Sequence, residues 1–183
     1  MPTKNNEFTF LLKSASSDGS FAGYASVFGV VDSQNDVIMQ GAFARTLRKR
    51  KGEIKLLWQH RADKPIGVFT QIREDTRGLY VEGRILLDLQ HGGEAYSLLK
   101  NGAINGLSIG YTVVDADYNG ENNIRLITDL DLWEISLVTF PANAEAVVIS
   151  VKNKKPGKRE AKKKPGDSLL LDSINKAIMV LGG

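Results

Sequence analysis

Among the side chains of this sequence that could take part in covalent chemistry, Ser108, His60 and Glu134 stand in the neighbourhoods that suit it best. A serine hydroxyl becomes a good nucleophile when a base takes its proton. Neutral imidazole, with an ordinary pKa of about 6.5, is the side chain suited to that task near neutrality. A carboxylate beside the imidazole holds its tautomer and stabilises the imidazolium that forms. Together the three groups would support acyl transfer through a covalent intermediate, and that chemistry calls for no metal and no organic cofactor.

Ser108 lies in Asn105-Gly106-Leu107-Ser108-Ile109-Gly110-Tyr111. In a strand, alternate residues share a face, so Gly110 falls on the face of Ser108 and predicts open space beside the hydroxyl. Leu107, Ile109 and Tyr111 fall on the other face, where they can bury and hold the strand. The glycines also let a substrate backbone or an oxyanion approach main-chain N–H groups. His60 follows the apolar run 54–58 and precedes the polar stretch Arg61-Ala62-Asp63-Lys64-Pro65, which predicts a position at the end of a strand. Glu134 alternates with Trp133, Ile135 and Leu137 and is expected on the face opposite to them. Taken singly these residues say little, because a serine in a strand is ordinarily structural and a glutamate there ordinarily pairs with an arginine. Rival third members are His91, in Leu89-Gln90-His91-Gly92-Gly93, and Asp129 or Asp131, just ahead of Trp133. His91 reads more simply as a helix-entry loop residue, and the two aspartates as turn formers.

The elements that must position these groups can be read from periodicity. Residues 8–13 and 21–28, separated by Ser14-Ala15-Ser16-Ser17-Asp18-Gly19-Ser20, predict an opening β-hairpin. A polar loop containing Asp32 and Asp36 leads to a helix over 41–51, with cations Arg48-Lys49-Arg50-Lys51 at its C-terminal end and Gly52 as its stop. Strands are expected over 54–58, 66–73 and 79–87, a second helix over 93–100, and four more strands over 107–114, 123–128, 132–140 and 146–151. About nine strands and two helices predict a mainly β fold with some α: a closed or nearly closed antiparallel β-barrel surrounded by a few helices. Residues 1–151 would form that domain, 152–166 a basic flexible linker, and 167–183 an amphipathic C-terminal helix with Leu170, Ile174, Ile178 and Leu181 in its apolar stripe.

Composition narrows the function. The absence of cysteine removes disulfides and thiolate chemistry, and two histidines argue against a structural zinc site. The formal charge of +3 belongs to the tail: residues 1–150 carry 15 Lys/Arg against 18 Asp/Glu, whereas 151–165 carry 8 against 1. A body with more acids than bases disfavours nucleic acid as a partner. The first residues lack the apolar core of a signal peptide and no later run approaches the roughly 20 apolar residues of a membrane span, so no membrane association is expected and a cytoplasmic location is.

Five strings occur in order: Phe21-Ala22-Gly23-Tyr24-Ala25-Ser26-Val27-Phe28; Asp36 through Gly41-Ala42-Phe43; Trp58-Gln59-His60; Gly106-Leu107-Ser108-Ile109-Gly110-Tyr111; and Trp133-Glu134-Ile135-Ser136-Leu137-Val138-Thr139-Phe140-Pro141-Ala142-Asn143. Together they resemble the prohead protease family of tailed phages over roughly residues 8–151. That family is thought to share the fold of the herpesvirus assembly proteases, a β-barrel ringed by helices whose histidine precedes the serine and whose third group follows it. His60, Ser108 and Glu134 stand in that order. The herpesvirus relatives use a second histidine as third member, whereas His91 precedes the serine here. The resemblance implies a serine endopeptidase inside the assembling procapsid in the host cytoplasm, which trims the scaffolding segment of the major capsid protein and finally itself. It also implies a homodimer or higher oligomer. Two other readings stay open: a catalytically silent docking module for capsid or scaffold protein, and a nucleic-acid binder acting through its tail. The second ranks lowest, since the tail lacks aromatic residues for base stacking.

Overall fold

The computed structural model describes residues 18–50, 52–119 and 123–151. The expected strand 8–13, the linker 152–166 and the helix 167–183 lie outside the described residues. In chain order the elements are β1 (Ser20–Val27), β2 (Asp36–Ile38), α1 (Ala44–Lys49), β3 (Lys55–Trp58), β4 (Arg61–Glu74), β5 (Gly78–Ile85), α2 (Gln90–Lys100), β6 (Gly106–Asn119), β7 (Ile124–Val138) and β8 (Val148–Val151). No described helix is long and apolar enough to cross a membrane.

The expected closed antiparallel barrel is not what forms. The eight strands make one open, mixed sheet in the order β2-β7-β3-β4-β5-β1-β8, with β6 also on β7. The strands that would have to close it, β6 and β8, share no ladder, only an isolated bridge between Gly106 and Val147. Between β7 and β8 stands Pro141, which has no N–H to donate, and β8 spends its ladder on β1. Nor is the sheet purely antiparallel, because β2 and β3 both run parallel to β7. The segments expected as strands 123–128 and 132–140 are one long strand, β7.

That strand organises the molecule. β6 follows one edge of β7 from Ile124 to Val138, so β2 and β3 must share the other edge, β2 against Arg125–Ile127 and β3 against Glu134–Leu137. The gap between them is filled by the chain leading into α1. Leu130 N–H donates to Ala42 O at 3.3 Å and Leu132 N–H to Thr46 Oγ1 at 3.0 Å, so these buried edge donors are satisfied without a strand. Thr46 is therefore buried on α1 despite its polarity. The core beneath is aliphatic, with Leu56, Ile66, Leu79, Leu107, Leu132 and Ile135 fully enclosed. Its burial supplies the main drive to fold.

Candidate active site

His60 is placed by a tight hairpin. Trp58 and Arg61 are paired across β3 and β4, leaving Gln59-His60 as a two-residue loop with φ of +52° and +58°. A two-residue turn with both φ positive follows the strand twist, but glycine or asparagine usually occupies it, since left-handed backbone costs an L-residue about 1–2 kcal/mol. Here β7 and its extension hold the turn. Gln59 N–H donates to Leu137 O at 3.1 Å, Gln59 Nε2 donates to Thr139 Oγ1 at 2.9 Å, and Thr139 N–H returns to Gln59 Oε1 at 3.3 Å. His60 N–H donates to Ser136 Oγ at 3.0 Å. The stretch 61–65, expected as a polar loop, is instead the start of β4, and the ladder shifts register where Pro65 enters it.

Glu134 is placed by a bulge. Gly110 pairs with Glu134 but Tyr111 with Leu132, so Trp133 is the extra residue on β7. The bulge changes the parity of the strand: Leu130 and Leu132 face the core before it, Ile135 and Leu137 after it. Trp133 therefore does not share the buried face of Ile135 and Leu137, as simple alternation predicts. It lies at the surface under the Arg50 guanidinium and donates its indole N–H to Thr112 Oγ1 at 3.0 Å. Past the bulge, Glu134 and Ser136 point away from the core together.

The result is a closed ring of hydrogen bonds. Glu134 Oε1 lies 2.6 Å from His60 Nδ1, Ser136 Oγ donates to Glu134 Oε2 at 2.7 Å, and Ser136 accepts from the His60 main chain. The Glu134 side chain is 13% exposed and that of His60 is 45% exposed. The hydrogen bond that His60 donates to Glu134 pushes the His60 pKa above its usual 6.5; partial burial opposes this, and the charge of Glu134 adds to it. With the Nδ1 proton held by the carboxylate, Nε2 is the nitrogen left to accept a proton.

Ser108, on β6, is paired with Ser136 of β7 and is 6% exposed. No hydrogen bond joins it to His60 among the described residues, but both line one open cleft of about 480 Å³. The space expected beside its hydroxyl at Gly110 is used differently: a Cβ there would lie 2.3 Å from Glu134 Oε1. The glycine makes room for the carboxylate.

Another wall of the cleft is braced by a second cluster. Asp36, expected in a loop, belongs to β2 and is buried, where Arg125 grips it with bonds of 2.8 and 2.6 Å and Tyr111 OH donates at 2.9 Å. Burial alone would raise the Asp36 pKa, but the bonds from Arg125 and Tyr111 outweigh it and hold the carboxyl below its usual value. This pairing contributes stability above about pH 3.8 that fades as acid titrates the group through its lowered folded pKa.

The rival residues lie elsewhere. His91 is on the first turn of α2, near Lys64 Nζ and 3.2 Å from Glu94 Oε2. Asp129 and Asp131 lie within β7 rather than in a turn, and both bind Arg45, at 2.7 and 3.2 Å. Ser136 is the participant that sequence reading missed. Its signal was present, since a residue two places from Glu134 in one strand shares its face.

The prohead protease of Enterobacteria phage HK97 is 33% identical over 137 residues, covering 74% of this chain and 61% of that protein. The prohead protease of Escherichia phage T5 is 32% identical over 91 residues, 50% of this chain and 42% of that protein. The chain thus spans less than two thirds of the length of these relatives. Among solved structures, the bacteriophage T4 capsid assembly protease aligns with a TM-score of 0.49 at 9% identity, over 65% of this chain and 81% of that one. The family model for the Caudovirus prohead serine protease matches residues 8–160, and this chain belongs to that family.

Proposed function

We propose that the chain is a serine endopeptidase of capsid maturation, with Ser108 as nucleophile, His60 as general base and Glu134 as the group that orients it. The observation that carries this reading is the ring joining His60, Glu134 and Ser136 beside a serine in one open cleft. His60 Nε2 takes the Ser108 proton as Oγ bonds to a peptide carbonyl carbon, and main-chain N–H groups lining the cleft stabilise the oxyanion. Collapse breaks the C–N bond, and the same proton passes from Nε2 to the departing amine. Water then attacks the acyl-enzyme, giving its proton to Nε2, and Ser108 is regenerated when that proton returns to Oγ. In this reading the His60–Ser108 hydrogen bond is one that forms when substrate binds.

The substrates are the major capsid protein or its scaffolding segment, and the chain itself, inside the assembling procapsid. Family membership and the relatives named as prohead proteases support this assignment. The test is mass spectrometry of the chain and its Ser108→Ala variant, each incubated alone and with the capsid protein. Fragments that vanish in the variant, a loss of about 10⁴-fold or more in rate, are expected. Identical fragment patterns would point instead to a docking module without catalysis.

A further inference from the structure

Phe140 is 89% exposed, more than any other large hydrophobic residue described, and it lines the cleft shared by His60 and Ser108. A lone apolar side chain at a surface needs no explanation. What sets Phe140 apart is the rigidity of the chain that displays it. On one side, Thr139 is tied by two hydrogen bonds to Gln59, the neighbour of His60. On the other, the Pro141 ring packs on Gly106, where a Cβ would meet its Cδ at 2.8 Å. Ala142 O then accepts from Ser33 N–H at 3.0 Å, and the buried Asn143 amide donates to Val27 O at 2.9 Å. The residues flanking Phe140 are anchored to two loops and two strands, while the ring itself projects into solvent. An aromatic side chain on backbone fixed before binding costs only its own two torsions when a partner covers it, and rings of this kind carry much of the energy of recognition.

We infer that Phe140 is a specificity-determining residue: it grips an apolar side chain, aliphatic or aromatic, of an extended peptide laid through the cleft. This rests on the peptidase reading, since only a peptide running past Ser108 would place a side chain on this rim. Covering an exposed phenyl ring is worth about ten- to a hundredfold in affinity.

Cleavage of the capsid scaffolding segment by the wild-type chain, Phe140→Ala, Phe140→Leu and Ser108→Ala tests it, with sites read by mass spectrometry and rates by quenched assay. The wild-type sites should share an apolar residue at one fixed distance from the cut. Phe140→Ala should raise KM about ten- to a hundredfold with kcat little changed and lose that preference, and Phe140→Leu should recover most of it. Equal KM and equal site choice in Phe140→Ala, beside an inert Ser108→Ala, would overturn the role of Phe140 and leave the peptidase standing. A change in sedimentation without a change in KM would also overturn it, assigning the ring to contact between copies. Undiminished cleavage by Ser108→Ala would remove the peptidase reading and this inference with it.

Discussion

β7 carries two carboxylate sites only a few residues apart, and they differ in the partner each one faces. At one, Asp129 and Asp131 bind Arg45, a guanidinium protonated at any pH a protein meets. At the other, Glu134 binds His60, whose proton comes and goes near neutrality. Strand and chemical group are alike, yet the first pair can only hold α1 against the sheet, whereas the second can hold a proton and release it. The second site also opens onto a cleft beside a hydroxyl and stands on strained turn backbone, while the first faces a helix. A carboxylate's usefulness is thus set by its partner's pKa and by what else the cleft contains.

The same amide substitution made at both sites sharpens this contrast. Glu134→Gln should lower kcat about a thousandfold or more, because an amide no longer fixes the imidazole tautomer or stabilises its cation. It should also move the pH profile. In the proposed mechanism the base works as neutral imidazole, so the wild-type rate should rise with pH through a His60 pKa raised above 6.5. Removing the main cause of that elevation shifts the acid limb of kcat/KM to lower pH, which His60 proton chemical shifts check independently. Linkage sets a further sign. Because the folded pKa is raised, the pair contributes stability below about pH 6.5 that is lost as pH rises through the folded value, and Glu134→Gln should flatten this dependence in thermal melts.

Ser136→Ala is expected next in size. It leaves Glu134 in place but removes one of its donors and the acceptor of His60 N–H, so the ring loosens without losing its charge. A kcat lower by about ten- to a hundredfold, with KM nearly constant, is expected from a misplaced base. A kcat equal to wild type would show that the turn and bulge alone position His60.

Asp129→Asn should have the smallest effect on chemistry. Steady-state kinetics should give kcat/KM within about twofold of wild type, with a small fall in thermal midpoint, since the ion pair is partly exposed and such pairs contribute little. A large loss of activity would break the contrast and join the two sites into one network.

Much of this could be read along the chain. Apolar runs bounded by turn residues placed β1 and β3, and period-two alternation placed β5 and put Ser108 and Gly110 on one face. The basic run at Arg48-Lys49 and the positive-φ Gly52 marked the end of α1. Three features escaped for definite reasons. A strand of three residues, β2, is too short to show a period. A bulge leaves no local mark, so the parity change at Trp133 was invisible. And the open sheet replaced the expected barrel because alternation reports which face a residue takes, never which strand lies beside it.

The residue types able to carry the chemistry, their order along the chain and the apolar faces that must bury are all legible in the linear chain. Those are properties of single residues and near neighbours. It takes the folded chain to show that Glu134 rather than Asp129, Asp131 or His91 meets His60, that Ser136 closes the ring, and that Gly110 makes room for a carboxylate. They depend on the parallel register of β3 on β7 and the bulged register of β6 on β7, two pairings between segments well separated along the chain. Such registers follow from how the whole core packs, so no local pattern could have disclosed them.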